Sequence, residues 1–487
     1  MATISLIALL ISLLPLMYLL LLALASIRFV SPIRAIEFPS TRFTAVIPAH
    51  DEASVIGTTI QQLRALDYPA DLFSVYVDCE TCLNNAINMA MATTSLLVLL
   101  VSLLPLAYLL LLALASVYLA SPPIRIRERP STRFTIAIPA HDEASVIGAT
   151  VRRLCALDYP AELFSVHVVA DHCSDHTAAL ARQAGALVHE RNEGPRNGKG
   201  AALMWLFQSI LDNSCDAVVI FDADTQVDPC FLCIMDAHLA RGAQVIQGQH
   251  IIRNPESGWF PALTWAMFLV DNRFQNLGRS NLGWSAKHMG DSICFRAEVL
   301  RKIGWGEGLT EDYQLRQRLL LEGIRITYEP AAMGYGEAPR TWTQAQTQRA
   351  RWLRGTRDAS QQFAQRLLLE GIKGRDLALL DGAIQAYSPS YSTLTLVSVI
   401  ALFTQAVINW HRGPIFPSGL VGVWVAVVGI LFAYPLIGLV FEKAPPKAYW
   451  AILIGPFFIL WRTWMALAAY FGKKSITWIR TTHGEQS

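Results

Sequence analysis

The chain has little charge for its length. Only 16% of its 487 residues are Asp, Glu, Lys or Arg, and the formal net charge is +2. It also contains no long run of Lys or Arg, so the composition gives no reason to expect nucleic-acid binding. Because 53% of the residues are apolar, the chain is too apolar for a purely soluble protein. We expect a folded domain combined with membrane helices.

Cysteine is scarce as well, with eight residues. Two C-x-x-C spacings occur, Cys79/Cys82 in a stretch predicted to be irregular and Cys230/Cys233 in a predicted helix. These settings do not favour a shared zinc site. We interpret the cysteines as reduced thiols that face the cytosol.

The apolar residues are concentrated at the two ends of the chain. An uncharged run from Ala2 to Ile27 is longer than a signal-peptide core and lacks a small-residue cleavage site after it, which predicts a membrane helix or uncleaved anchor. Runs at Ser390–Trp410, Leu420–Val440 and Tyr449–Phe471 are each long enough to cross a bilayer. The stretch Gln361–Tyr387 mixes Leu-rich and charged positions, as an interfacial helix does.

An internal duplication precedes the middle of the chain. Met1–Val77 is repeated with few changes as Met91–Val168, and both copies contain PAHDEASVIG, at Pro48–Gly57 and Pro139–Gly148. The first copy then stops matching. Its two predicted strands and one helix cannot close a core, so we interpret it as a non-catalytic appendage.

The duplication conflicts with a simple membrane topology. If both apolar runs cross the membrane, the nearly identical segments after them face opposite sides. One run is therefore expected to lie in the interface or to fail to insert. A partial gene duplication, or a gene model whose true start is Met91, explains the pattern.

The middle of the chain has the pattern of an α/β domain with a largely parallel sheet. Strands are predicted at Phe134–Ile138, Ser165–Ala170 and Ala217–Phe221, and polar residues follow each one, at the end where open parallel sheets bind ligands. In chain order these polar ends hold Pro139 and the acidic pair Asp142-Glu143, then Asp171, then Asp222 and Asp224.

Carboxylates gathered at one crevice repel each other unless a cation or hydrogen-bond donors compensate, as a metal-bound diphosphate site does. Asp222-x-Asp224 can direct one carboxylate to a ribose and the other to Mg²⁺ or Mn²⁺. Each Asp alone can instead be a turn or cap residue. Lys199, in Gly-Lys-Gly at the start of a predicted helix, either approaches phosphate or base or faces solvent.

Two later motifs complete the set of candidates. Glu311 and Asp312 precede a periodic helix, where a carboxylate can cap the helix or act as a general base for sugar transfer. Gln348, Arg351 and Trp352 lie in a long predicted helix. Arg complements phosphate and Trp offers a flat face to a sugar, although an interfacial Arg/Trp cluster is the plainer interpretation.

The ordered set of motifs resembles the signature of family-2 glycosyltransferases. These motifs are PAHDE, Asp171, Asp222-x-Asp224, Thr310-Glu311-Asp312 and Gln348-x-x-Arg351-Trp352, between Phe134 and Trp352. The set is similar to the membrane synthases of cellulose, chitin oligosaccharides, hyaluronan and poly-N-acetylglucosamine, and to ceramide glucosyltransferase. The resemblance implies a GT-A fold with membrane helices at both ends, a UDP-sugar donor and inverting transfer.

The resemblance also implies a role for each matching residue. Nucleotide-sugar contacts fall to Pro139, Glu143, Asp171, Lys199 and Asp222, metal binding to Asp222 and Asp224, base catalysis to Asp312 with Glu311, and diphosphate or acceptor contacts to Gln348, Arg351, Trp352 and the loop residue Asp291. The usual Asp pair after the second strand is Ala170-Asp171 here, which leaves a single carboxylate for the base.

The predicted organisation follows from these assignments. It comprises a truncated duplicate (1–90), a transmembrane helix and link (91–124), the catalytic domain (125–358), interfacial helices (359–388), C-terminal transmembrane helices (389–472) and a tail (473–487). Since UDP-sugars are cytosolic, we expect a multi-pass inner-membrane protein with a cytoplasmic catalytic domain. Three C-terminal spans would place Lys473, Lys474 and Arg480 outside, against the positive-inside tendency.

Three alternatives remain at this point. The product is either an extruded polysaccharide or a single sugar on a lipid, because the Gln348 motif favours a polymer synthase while few spans argue against a channel. An inactive membrane scaffold would not need the complete acidic set. A transporter would need more spans and inverted repeats, whereas this repeat is direct.

Overall fold

The computed structural model describes residues 43–48, 53–65, 73–78, 80–119, 123–195, 197–211, 215–306, 308, 310–461 and 464. The predicted anchor Ala2–Ile27, Cys79 and the predicted tail lie outside these residues. The chain forms two compact units, Met1–Leu104 with Val397–Gly429, and Pro105–Leu396 with Ile430–Ser487.

The first unit contains the β-α-β segment of the first sequence copy. Strand β1 (Phe43–Pro48), helix α1 (Ala53–Arg64) and strand β2 (Phe73–Asp78) form a two-stranded parallel sheet in which Phe43 pairs with Phe73. The predicted pattern of two strands and one helix is therefore confirmed for this copy.

Helix α2 (Glu80–Tyr118) corrects two expectations. It includes Cys82, so the prediction of an irregular stretch there is wrong, and it runs through Met91, where a segment boundary was expected. The residues between Glu80 and Met91 contain no Gly or Pro and include good helix formers, so they extend the apolar helix towards the N-terminus.

The second unit is built on an eight-stranded sheet in the order β5-β4-β3-β6-β9-β8-β10-β7. Its strands are β3 (Phe134–Ala140), β4 (Phe164–Asp171), β5 (Leu187–Arg191), β6 (Ala217–Ile220), β7 (Gln226–Val227), β8 (Val245–Ile252), β9 (Ile293–Arg296) and β10 (Ile326–Gly336). The sheet is mixed rather than largely parallel, because β9 is antiparallel to both of its neighbours and β7 to β10. The three strands predicted from sequence are parallel and adjacent, as β4-β3-β6.

Helices cover both faces of this sheet. They are α3 (Ile147–Cys155), α4 (Thr177–Gln183), α5 (Lys199–Ile210), α6 (Phe231–Ala240), α7 (Trp259–Val270), α8 (Leu277–Asn281), α9 (Ala297–Ile303), α10 (Glu311–Leu321), α11 (Trp342–Gly374) and α12 (Leu377–Tyr387). Successive residues of β3 enter different cores: Ile136 and Ile138 pack in one cluster, and Ala137 in the other. This burial on both faces explains why the strands are continuous apolar runs.

Three helices are long and apolar enough to cross a membrane, judged by length and composition among the described residues. They are Ile87–Tyr118 within α2, α13 (Tyr391–Arg412) and α14 (Ser418–Phe441). The last two confirm two predicted apolar runs as helices. Within the first unit, Met91 packs with Phe416, and Trp424 Nε1 donates a hydrogen bond to Ser95 Oγ at 3.2 Å.

The remaining apolar segments differ from their predicted form. The run that begins at Tyr449 lies partly in helix α15 (Pro446–Leu453), which ends before a turn at Ile454, and its last residues are outside those described. The predicted interfacial helix is two helices, because α11 ends at Gly374 and Arg375 adopts a left-handed φ of 51°. Asp376 then caps α12 by accepting hydrogen bonds from its first amides.

Candidate active site

The Asp222-x-Asp224 turn follows β6 and is held from below by Asp291. The Asp222 amide donates to Asp291 Oδ1 at 3.0 Å, and Thr225 Oγ1 donates to Asp291 Oδ2 at 3.1 Å. Asp222 remains accessible, with 44% of its side chain exposed. The turn therefore presents its carboxylates from a fixed backbone.

The expectation that Asp291 contacts an acceptor is wrong in this structure. Asp291 is 2% exposed, and both of its carboxylate oxygens accept hydrogen bonds inside the protein. His250 on β8, which the sequence did not single out, donates through Nδ1 to Asp291 Oδ2 at 3.0 Å. Burial alone would lower the pKa of His250, but the hydrogen bond and charge of Asp291 raise it.

Lys199, the first residue of α5, faces the D-x-D turn and not the solvent. Its ammonium donates to the Asp222 carboxylate and, at 2.5 Å, to the Gly290 carbonyl, and only 18% of its side chain is exposed. Burial lowers the pKa of Lys199, but the charges of Asp222 and Asp291 outweigh burial and raise it. A permanent cation therefore lies beside the turn, where it can pair with phosphate.

Glu311 and Asp312 begin α10 and lie against the same two segments. Gly290 has a positive φ of 82°, and a Cβ there would lie 3.4 Å from Asp312 Oδ2. A Cβ on Gly200 would likewise lie 3.4 Å from Glu311 Cγ. These two glycines allow α5 and the loop before β9 to approach the acidic pair closely.

The electrostatic setting of the pair suits proton transfer near neutral pH. Burial, followed by the neighbouring charge of Asp312, raises the pKa of Glu311 to about 7. Burial also raises the pKa of Asp312, against the opposing charges of Lys199 and Arg351. Two adjacent carboxylates in such a setting retain protons more readily than free ones, as general acids and bases require.

The Gln348-x-x-Arg351-Trp352 motif lies on α11, which packs on the residue before the acidic pair. A Cβ on Gly355 would lie 2.5 Å from Thr310 Oγ1, so this helix and the loop are in close contact. Arg351 is near enough for its charge to lower the pKa of both acids. The Arg349 guanidinium lies over the Trp352 ring at 4.8 Å, a contact that sequence spacing does not reveal.

The predicted base-binding side forms a second set of contacts at the ends of β3 and β4. Asp171 is only 4% exposed, and its Oδ1 accepts from Arg191 Nη1 at 2.5 Å and from His172 Nδ1 at 2.9 Å. Arg191 and His172 were missed because nothing in their local sequence marks them as partners of Asp171. The single carboxylate expected to bind the base is thus already ion-paired.

The PAHDE turn is fastened to the turn after β4. The Glu143 amide donates to Thr177 Oγ1 at 2.7 Å, and Asp142 accepts from the Ser174 amide at 2.6 Å. Pro139 lies within β3, paired with Val169 of β4. These contacts place Pro139 and Glu143 at the same sheet edge as Asp171.

The residues around the D-x-D turn fit a divalent metal. Asp222 and Asp224 both raise the pKa of His250 by their charge, which locates the two carboxylates near one another. Carboxylate oxygens are the ligands that Mg²⁺ and Mn²⁺ prefer. Lys199 then lies where it and the ion would share the charge of a diphosphate.

The fold and site together define a GT-A glycosyltransferase domain: a mixed sheet, a D-x-D turn at the carboxyl end of β6 and an acidic pair at the start of α10. Residues 130–355 match the family described as "Glycosyltransferase like family 2". This part of the chain is a family-2 glycosyltransferase domain, and the chain is a glycosyltransferase. The expected fold class and enzyme class are confirmed.

Curated relatives extend over the same region. The chain is 26% identical over 258 residues to the probable glycosyltransferase YdaM of Bacillus subtilis, covering 48% of this chain and 57% of the relative. It is 29% identical over 233 residues to a beta-monoglucosyldiacylglycerol synthase of Trichormus variabilis (45% and 48% covered), and 29% identical over 249 residues to a poly-beta-1,6-N-acetyl-D-glucosamine synthase of Staphylococcus aureus (48% and 56% covered). The chain thus spans about half the length of the relatives it matches.

Solved structures of glycosyltransferases are also similar. A mannosyltransferase from Pyrobaculum calidifontis, in complex with GDP-Man and Mn²⁺, matches with a TM-score of 0.49 and 16% identity, covering 77% of this chain and 99% of that one. A glucosyl-3-phosphoglycerate synthase from Mycobacterium tuberculosis, with Mn²⁺, UDP and phosphoglyceric acid, matches with a TM-score of 0.35 and 18% identity, covering 48% and 83%.

Proposed function

We propose that the chain transfers a sugar from a UDP-sugar, with inversion and with Mg²⁺ or Mn²⁺, to a lipid or glycan acceptor at a membrane. The convergence of Lys199, the Asp222-x-Asp224 turn and the Glu311-Asp312 pair carries this proposal. An inactive scaffold would not require a cation and four carboxylates around one crevice.

Asp222 and Asp224 would hold the divalent ion. When bound, the ion offsets the negative charge that develops on the departing diphosphate. Lys199 adds a fixed cation on one side of the turn, and Arg351 adds another near the acidic pair. Nucleotide contacts fall to Asp171, already oriented by Arg191, and to the PAHDE turn.

Asp312 would act as the general base. It accepts the proton of the acceptor hydroxyl as that oxygen bonds to the anomeric carbon, while the bond from that carbon to the diphosphate breaks. Attack from the face opposite the diphosphate inverts the configuration. Glu311, with its pKa near 7, holds the proton that would otherwise place a second charge beside the base.

Two acceptor classes are in competition. Relatives include both glycolipid and polysaccharide synthases, by their names. Trp352 beside the Arg349 guanidinium offers a face for a sugar ring, as a growing glycan requires. The three candidate spans instead favour transfer of one sugar to a membrane lipid, since they are few for a channel. The same spans support a membrane enzyme whose site faces the cytosol.

The test is a transfer assay with detergent-purified protein, labelled UDP-sugars, membrane lipids and Mn²⁺ or Mg²⁺. Asp224→Asn and Asp312→Asn should abolish product, whereas the exposed Asp158→Asn, the same chemical change outside the site, should not. Label in the lipid phase would identify a glycolipid synthase, and label in high-mass material a polymer synthase. No metal-dependent product or UDP release with any donor would favour the scaffold.

A further inference from the structure

A buried ionic cluster lies outside the site just described. It consists of Asp381 on α12, Arg279 on α8, Arg316 on α10 and Tyr108 on α2. The two arginine side chains are 1% exposed and the Asp381 side chain 0%. Asp381 Oδ1 accepts from Tyr108 Oη at 2.5 Å and Arg279 Nε at 3.1 Å, and Oδ2 accepts from Arg316 Nη2 at 3.0 Å.

The charges in this cluster depend on Asp381. Two guanidinium groups face one carboxylate, and Tyr108 also accepts a hydrogen bond from Arg279 Nη2 at 2.7 Å. Burying ionised groups is unfavourable unless they are paired and hydrogen-bonded. Neutralising Asp381 would leave two buried cations without their counter-charge, so the geometry around it should change.

Close helix packing surrounds the cluster. A Cβ on Gly278, next to Arg279, would lie 2.2 Å from the Leu112 carbonyl oxygen of α2. A Cβ on Gly382, next to Asp381, would lie 2.9 Å from Leu320 Cδ1 of α10. Both charged residues are therefore held where helix backbones meet closely, and a side-chain shift there has little room to be absorbed.

Arg316 connects the cluster to the acidic pair. It lies one helical turn after Asp312 on α10, so the position of its guanidinium is linked to that of the helix start. Arg316 also donates from Nε to the Ala286 carbonyl and from Nη2 to the Ser285 carbonyl, each at 2.8 Å.

The segment that Arg316 holds leads directly into the D-x-D support. Within a few residues of Ser285 the chain reaches Gly290, whose carbonyl accepts from Lys199, and Asp291, which accepts from the Asp222 amide. One guanidinium thus touches both halves of the crevice, the helix with the base and the loop beneath the turn.

We propose that Asp381 is a positioning residue for sugar transfer. Through Arg316 it sets the distance between the Asp312 carboxylate and the D-x-D turn, and through Tyr108 it ties this setting to the candidate membrane helix α2. The inference rests on the proposed transfer reaction. Donor binding at the Asp171 side does not pass through Arg316 and should be spared.

The first experiment compares Asp381→Asn with Asp376→Asn in the full-length protein in detergent. Asp376 is on the same helix but caps it and pairs with the half-exposed Arg325, and Asn serves equally as a cap. With active sites counted by UDP binding in Mn²⁺, Asp381→Asn should lower kcat per site by about tenfold or more, because small misplacements of reacting groups are expensive. UDP affinity should change less than about twofold.

A double variant separates positioning from general destabilisation. If Asp381 acts through Arg316, then Asp381→Asn with Arg316→Gln should be no slower than the slower single variant. Should Asp381→Asn fail to fold, Tyr108→Phe removes one hydrogen bond to the same carboxylate and should reduce kcat by about threefold. Wild-type kcat per site in the folded variant, equal losses of kcat and UDP affinity, or additive losses would overturn the proposal.

Hydrogen exchange distinguishes this proposal from the transfer proposal itself. Asp381→Asn should speed exchange in residues 285–291 and at the start of α10, whereas Asp376→Asn should not. If wild-type protein binds UDP but transfers no sugar, the proposed function fails while the exchange result still tests positioning. Unchanged exchange in an active enzyme would count against Asp381 alone.

Discussion

The two copies of the PAHDEASVIG segment fold alike at short range and differ in everything that follows. In the first, Phe43 pairs with Phe73, and in the second Phe134 pairs with Phe164, the same register 91 residues later. Both pairs are parallel. About forty residues are thus sufficient to specify a β-α-β unit and its register, since strand pattern and helix length set both.

The catalytic crevice needs more than that unit. In the second copy β3 also pairs with β6, which ends at the D-x-D turn, and β9 and β8 bring Asp291 and His250 beneath it. In the first copy, the chain enters helix α2 directly after β2. The comparison teaches that the shared motif supplies one wall of a site whose chemistry comes from later residues.

Asp312→Asn should break the comparison most severely, since it removes the proposed base that only the second copy's domain contains. We expect kcat to fall by about 10³-fold because general base catalysis contributes on that order. UDP binding should persist. The measurement is transfer rate beside a UDP titration, with Asp158→Asn as control, and a loss below about tenfold would contradict the role of Asp312.

Metal removal should have the next largest effect. Chelation with EDTA should reduce transfer by about 10²-fold or more, because the diphosphate would lose its main counter-charge, and Mn²⁺ should restore it. Asp224→Asn should need far more Mn²⁺ for half-maximal rate. Full activity in EDTA would show that Lys199 and Arg351 suffice without an ion.

A matched pair of substitutions tests the shared motif itself. Glu143→Gln and Glu52→Gln change the same position of the PAHDE turn in the two copies. We expect the first to raise the donor KM by about tenfold by disturbing the nucleotide wall, and the second to have no effect. Equal effects on donor KM would show that the first copy also binds donor.

The pH profile should show the acidic pair. Transfer should increase with pH as Asp312 loses its proton, and increase again near pH 7 as Glu311, whose pKa is raised to about 7, ionises and makes its neighbour more basic. Glu311→Gln should remove the upper step and keep the lower one. A step near pH 7 that survives in Glu311→Gln belongs to another group.

The smallest effect is expected from removing the first copy. Protein that starts at Met91 should transfer sugar within about twofold of the full chain, because none of the proposed catalytic carboxylates precedes that residue. Expression and membrane recovery are measured in parallel. A large loss of kcat in well-folded protein would assign the first copy a role in the reaction.

Sequence patterns predicted the strands and their polar ends because burial on both faces leaves unmistakable apolar runs, as in Ala217–Ile220. They also located Lys199 at a helix start. They did not decide whether that lysine faces solvent or the D-x-D turn, because its partners Asp222 and Gly290 are distant in sequence. Direction and pairing depend on tertiary contacts.

Asp291 and Asp171 show the same limit. Both were singled out as ligand contacts, yet Asp291 is enclosed by His250 and the Asp222 amide, and Asp171 is paired with Arg191. Position along the chain reveals that an acid is near the crevice. It does not reveal whether the acid faces a ligand or supports the residue that does.

The most direct test of the central claim is the stereochemistry of a single transfer. Purified protein with Mn²⁺ would be given ¹³C-labelled UDP-glucose or UDP-N-acetylglucosamine, both α-linked, and the anomeric configuration of the new linkage read by NMR. We predict a β-linked product from wild-type protein and none from Asp312→Asn at equal UDP occupancy. An α-linked product, or an equal rate without the Asp312 carboxylate, would contradict inverting transfer with Asp312 as its base.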